Sequence, residues 1–349
     1  MPFEPQVDGR ALERLLGRAP ERLELLGGGG NSRVYRVSVP GGDGFALKVY
    51  YRDPQDPRDR LGVEFGCLEF LWAHGIRCVP RPLGTDPEAG LGLMAYVPGE
   101  RMARPGPGDV DASCAFLADL HRLSALPAAA ALPSASEACF SLQSVAGNIQ
   151  ARLDRLRALG PGLLDASGLG RFLAEELLPA WEAIRAQAAD RARRWGIPLD
   201  RDLPAEARTL SPSDFGFHNA LKADGKVFFL DFEYFGWDDP AKLLADFLLH
   251  PGMALDPGLR ERFARGLLDQ IPVPGLGERA RLAYPLFGIK WCAILLNEFL
   301  PGPLHRRRFA APGPLSPGEC QAGQLAKCRA KLRQVVAEND HFILFPAPD

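Results

Sequence analysis

The sequence has no run of about 18 apolar residues, so no membrane-spanning helix is expected. It also lacks a leader pattern. The start, MPFEPQVDGRALERLLGRAP, is polar and carries acidic residues where a secretory signal has an apolar middle. Charge of one sign is missing as well. Its 41 Lys and Arg nearly balance 43 Asp and Glu, and the formal charge of -2 gives no bulk pull toward nucleic acid or anionic lipid. Any anionic ligand must therefore be captured by a local site. The cysteines, Cys67, Cys78, Cys114, Cys139, Cys292, Cys320 and Cys328, are odd in number and scattered, and no CxxC pair occurs. That argues against a zinc motif and a disulfide framework and for the reduced thiols of a cytoplasmic protein. No internal repeat or long low-complexity tract is present.

What is there fits a soluble globular chain: 349 residues, 46% hydrophobic and 24% charged. That length exceeds one ordinary core and suits two lobes. Strand-like alternation runs from Arg22 to about Tyr51. It is broken by Gly27-Gly28-Gly29-Gly30 and by a Pro-Gly-Gly-Asp-Gly turn, which predicts an antiparallel sheet. Arg60 to His74 reads as a helix with Leu61, Leu68 and Leu71 on one face, and Leu91–Val97 as a strand stopped by Pro98-Gly99. Beyond Pro98 the texture becomes helical: Asp111–Leu123, Leu142–Ala158, Leu169–Trp195, most of Ala241–Phe299, and Gly318–Asn339. The expectation is an α+β chain with a small β-rich lobe, residues 1–97, and a larger, mostly helical lobe, residues 98–349.

Several residues carry chemistry. Glycines between two strands let backbone N–H groups approach phosphate oxygens, although a plain flexible hairpin has the same composition. A Rossmann loop is disfavoured because a strand follows where a helix is needed, and a Walker loop fails for want of the Gly-Lys-Ser/Thr ending. Lys48 lies among Phe45, Ala46, Leu47 and Val49 on an apolar strand, where its ammonium must snorkel to water or meet an anion. Glu64 falls on the apolar stripe of the following helix, and Lys48 is its best partner. The densest pattern is Ser211-Pro212-Ser213-Asp214-Phe215-Gly216-Phe217-His218-Asn219, followed by Val227-Phe228-Phe229-Leu230-Asp231-Phe232-Glu233. Phosphoryl transfer needs a carboxylate to take or orient a hydroxyl proton, which fits Asp214. It needs hard oxygen ligands for Mg2+, which fits Asn219 and Asp231, with Glu233 available for a second metal or a water ligand. Taken singly, each of these is also an ordinary turn residue.

In that order of motifs the chain resembles the aminoglycoside phosphotransferase and choline kinase-like family, whose fold is protein-kinase-like and bilobal. The resemblance implies an ATP-dependent kinase acting on a hydroxyl of a small molecule, with ATP and Mg2+ as cofactors and neither nucleic acid nor membrane as partner. By resemblance, Asp214 is the catalytic base and Asn219 and Asp231 are the metal ligands. Gly28, Gly29, Asn31, Ser32, Lys48 and Glu64 serve the phosphates, and Ala95 and Val97 hold the adenine, with Met94 behind it. Two departures stand out. Pro212 replaces the family's usual histidine and Ser213 its usual glycine. The loop-bracing aspartate is either Asp239 or Asp246. Two other readings remain: a catalytically weak, pseudokinase-like regulatory module, suggested by Pro212, and a protein kinase, for which no Ala-Pro-Glu segment follows Asp231. The run His305-Arg306-Arg307-Arg308 reads as a solvated face.

Overall fold

The structure is a computed structural model that describes residues 7–28, 31–42, 44–52, 56, 58–253, 255–300 and 317–340. Gly29, Gly30 and the run His305–Arg308 lie outside the described residues.

The first described element is helix α1 (Gly9–Leu16), which sequence periodicity did not reveal, capped by Asp8. Strands β1 (Arg22–Gly28), β2 (Ser32–Ser38) and β3 (Phe45–Tyr50) then lead to α2 (Arg60–Ala73), β4 (Pro82–Asp86) and β5 (Leu91–Ala95). The five strands form one antiparallel sheet in the order β1-β2-β3-β5-β4, as the alternation predicted. Strand periodicity divides β3 between two faces. Leu47 and Val49 join Tyr35, Val37 and the α1 residues Ala11 and Leu12 in one cluster. Ala46 and Tyr50 pack instead with Leu61 and Phe65 of α2, and Lys48 alternates onto that same side.

Gly92 makes this helix–sheet contact possible. It stands opposite Lys48 in the β3–β5 register, and a Cβ there would lie 2.2 Å from Phe65 Cε2. With no side chain at Gly92, α2 settles close enough for Glu64 to reach Lys48. We expect Gly92→Ala to cost about 1–3 kcal/mol, as overpacking does. Chemical denaturation would read it, and wild-type stability in this variant would contradict the packing account.

The remainder is mostly helical. A two-residue strand β6 (Glu100–Arg101) precedes α3 (Pro107–Ser124), α4 (Leu142–Arg157), α5 (Pro161–Ala166), α6 (Leu169–Phe172) and α7 (Leu178–Arg194). The single helix expected over Leu169–Trp195 is interrupted by a π-helical turn, Leu173–Leu177. Pro179, in the first turn of α7, has no N–H to donate backward, which is a known cause of such widening. Next come β7 (Thr209–Ser211), β8 (Ala220–Ala223), β9 (Lys226–Phe229) and β10 (Gly236–Asp238). The described residues end in α8 (Pro240–Leu249), α9 (Pro257–Gln270), α10 (Leu276–Leu295) and α11 (Pro317–Asp340). Every residue of α8 is buried, so it is the central post of this region. Strands β8 and β9 form a hairpin through Asp224 and Gly225, both at positive φ (48° and 74°). Its two ends present Asn219 and Asp231. Among the described residues no helix is long and apolar enough to cross a membrane, and all seven cysteines are free.

Candidate active site

Lys48 is the hub. Its ammonium, buried at 4% exposure, sits 2.6 Å from Glu64 Oε2 and 2.7 Å from Asp231 Oδ1, with Glu233 Oε2 at 3.8 Å. Burial alone would lower its pKa; Asp231 and Glu64 outweigh that and hold it well above the usual lysine value. The sequence pairing of Lys48 with Glu64 is therefore present. Glu64 is fixed further by the Tyr50 hydroxyl, which donates to Oε2 at 2.6 Å, and by the Phe232 N–H, which donates to Oε1 at 3.3 Å. Asn31 donates to Glu233 Oε1 at 2.7 Å and also to the Tyr234 hydroxyl. These bonds tie the end of the glycine loop to the segment after β9.

Carboxylate oxygens of Glu64, Asp231 and Glu233 lie within 4.8 Å of one another. Burial, then the charge of Asp231, raises Glu233 to about 7 despite Lys48. Its Oε2 is buried without a hydrogen-bond partner. A set of hard oxygens with one atom unsatisfied suits Mg2+ better than a softer metal. Asp231 adopts φ +66°, a left-handed conformation that is uncommon outside glycine and is often kept at functional positions.

Asp214 lies on the loop between β7 and β8. Its Oδ1 meets His218 Nε2 at 3.1 Å and His250 Nε2 at 3.3 Å, and the two imidazoles stack with ring centroids 3.6 Å apart. Burial would raise the Asp214 pKa, but the hydrogen bonds and charges of His218 and His250 outweigh it and hold the carboxyl well below its usual range. Asn219 donates its side-chain N–H to the Asp214 carbonyl at 3.1 Å, while Leu230 N–H donates to the Asn219 carbonyl at 2.8 Å. One short loop thus links Asp214, Asn219 and Asp231.

The loop is braced by a residue that sequence reasoning missed. Lys242 donates to Ser213 Oγ at 3.1 Å and to Asp238 Oδ2 at 2.7 Å, and lies 3.2 Å from Asp246 Oδ2. Asp246 therefore reaches Ser213 of the loop through Lys242. Asp239 is used elsewhere: it accepts from Ala241 N–H at the start of α8 and from Arg279 at 2.7 Å. The missed signal is a four-residue recurrence, Asp238, Lys242, Asp246 and His250, which places polar groups along one side of an otherwise apolar helix. Ser213, at φ +67°, keeps the left-handed backbone that a glycine supplies without strain.

Two hollows meet at this loop. A cleft of about 390 Å³ lies between the sheet and the β8–β9 hairpin. It is lined by Gly28, Ser32, Lys48, Glu64, Ala95 and Val97 from the N-terminal side and by Asn219 and Asp231 from the other. Met94 and Arg101 also line it. A second cavity of about 950 Å³ is bordered by Asp214, and Asn31 borders this one rather than the first. The loop from Asp214 to Asn219 is the partition between them.

A model of the phosphotransferase enzyme family matches residues 22–283. The chain belongs to that family. Solved structures agree on the fold. A choline/ethanolamine kinase family protein from Mesorhizobium loti aligns with TM-score 0.54 at 19% identity, covering 92% of each chain. Choline kinase LicA from Streptococcus pneumoniae gives 0.55 at 15% identity, covering 93% of this chain and 97% of that one. A thermostable mutant of aminoglycoside phosphotransferase APH(4)-Ia, in ternary complex with ADP and hygromycin B, gives 0.54 at 17%, with 93% and 97% covered. A search of curated proteins found no match. At these identities the likeness is one of fold: an antiparallel five-stranded sheet followed by a mostly helical region, as in the kinase-like phosphotransferases.

Proposed function

We propose that this phosphotransferase moves the γ-phosphate of ATP to a hydroxyl group of a small molecule. Residues 1–97 form the nucleotide lobe and 98–349 the catalytic and acceptor lobe. The carrying observation is the partition itself. Lys48, Asn219 and Asp231 face the cleft under the glycine loop, and Asp214 faces a separate, larger cavity across one loop. In-line transfer brings the leaving and attacking oxygens to opposite faces of the phosphorus, so donor and acceptor would approach from these two sides and meet at the edge of the loop.

In this reading Gly28, Gly29 and Ser32 approach the phosphates and Lys48, held by Glu64, grips them. Ala95 and Val97 receive the adenine through their backbone groups. Asn31 steadies Glu233. Asn219 and Asp231 hold the metal; when bound, Mg2+ offsets charge on the transferring phosphoryl group. Asp214 orients the acceptor hydroxyl and accepts its proton. Its low pKa keeps it ionised, and that suits a loose transition state in which alignment matters more than base strength. The free cysteines fit a cytoplasmic setting, where thiols stay reduced.

Pro212 was the ground for a regulatory module. Against it stand the left-handed Ser213 and the Lys242 brace, which support the loop without a histidine. The test is ADP release across a panel of hydroxyl compounds, with and without a chelator. Release should require both an acceptor and Mg2+, whereas Mg-ATP binding without turnover across the whole panel would favour the regulatory module.

A further inference from the structure

The cavity beside Asp214 carries a charge pattern of its own. Glu137 is paired with two cations, Arg152 of α4 and Lys290 of α10. Burial would raise the Glu137 pKa, but Lys290 and Arg152 outweigh it and hold it at about 2. On the other side of the sequence, Asp56 is likewise shared by Arg58 and Arg60, at 2.7 and 2.6 Å. Arg155 sits three residues along α4 from Arg152, on the same helical face. It is exposed, borders the cavity, and has no acidic partner among the described residues. Asp246 is engaged by Lys242 and by the Trp291 indole N–H, at 3.2 and 2.9 Å.

Among the described residues the cavity wall carries five cationic side chains, Arg58, Arg152, Arg155, Lys242 and Lys290, against four carboxylates, Asp56, Glu137, Asp214 and Asp246. A cation approaching Glu137, whose Oε2 Arg152 and Lys290 already share, would meet the repulsion of two neighbouring positive charges. An anion meets the opposite situation: Arg155 has no acidic partner among the described residues, and Arg152 and Lys290 share one carboxylate oxygen of Glu137. We infer that the acceptor of this phosphotransferase is an anionic hydroxyl compound, whose carboxylate or phosphate is held by Arg155 with Arg152 and Lys290 while its hydroxyl lies against Asp214. The inference deepens the phosphotransferase reading and rests on it for the role of Asp214. It separates this chain from its structural neighbours, whose names report choline and hygromycin B, both cations at neutral pH.

The test keeps binding and turnover apart. With the nucleotide cleft saturated by AMP-PNP and Mg2+, calorimetry would compare gluconate and 6-phosphogluconate with choline and hygromycin B. At least one anion should bind more tightly than either cation. Arg155→Glu should weaken that binding at least tenfold, and Arg155→Gln by less, since Arg155 is exposed and its loss leaves the fold intact. In ADP-release assays the same variants should raise KM for an anionic acceptor with kcat little changed. Tighter binding of either cation, no binding of either anion at millimolar concentration, or unaltered anion binding in Arg155→Glu would each overturn the inference. Anion binding that follows the expected pattern without any ADP release would uphold it and overturn the phosphotransferase reading instead.

Discussion

Asp214→Ala should lower kcat by about 10²–10⁴-fold, the range for losing a positioned acid–base group, while nucleotide affinity stays nearly unchanged. The expectation follows from the partition: Asp214 borders the larger cavity, proposed for the acceptor, and the cleft proposed for the nucleotide is lined by other residues. Asp214→Asn separates two contributions. The amide keeps the volume and can still accept from His218 and His250, but it takes no proton. If orientation dominates, the Asn variant should retain more activity than the Ala variant; if proton acceptance dominates, the two should fall together. Steady-state kinetics paired with a nucleotide-binding titration decides. A parallel loss of nucleotide binding would show that Asp214 mainly holds the loop, and wild-type kcat in both variants would remove it from the chemistry.

The second large effect is on stability. In Lys48→Met the buried cluster of Glu64, Asp231 and Glu233 loses its central cation. Breaking a buried ion pair from one side typically costs about 3–5 kcal/mol, because the remaining charge stays buried. Here Glu233, already raised by burial and by Asp231, loses the opposing charge of Lys48 and is held still further above its unfolded value. Such a group makes the folded state the better proton binder, so the stability of the variant should rise as pH falls through the carboxylate range. Urea unfolding of wild type and variant at neutral and mildly acidic pH measures this. A penalty independent of pH would mean that lost packing around the lysine stem outweighs the charge. Activity should vanish in either case, because in the proposed reading Lys48 grips the phosphates as well as aligning Glu64 and Asp231.

The parts of this site that could be read in the sequence are those written in local spacing. Lys48 shows itself by strand alternation and Glu64 by its place on a helical stripe. Asp214, Asn219 and Asp231 show themselves by a fixed gap and a strand end. The sheet, the change to helices after Pro98 and the bounds of α2 and α4 were legible for the same reason. Lys242 and His250 were not, because α8 is buried on all sides and its apolar residues hide the polar row that recurs every fourth position. Lys290 lies far along the chain from Glu137 and Arg152, so no window of sequence contains the meeting of all three. The π-helical turn in Leu173–Leu177 keeps the apolar pattern of an ordinary helix and leaves no periodic trace.

The Lys48–Asp231 contact at 2.7 Å joins the sheet to the segment just beyond the hairpin. It works as a clasp across the mouth of the cleft. In the proposed reading an incoming nucleotide would not settle into a neutral groove; it would trade counter-ions with residues already paired. Its phosphates would take over the lysine, which would leave Asp231 free to hold a metal. Nucleotide and metal entry would thereby be tied into one exchange, in which each makes room for the other.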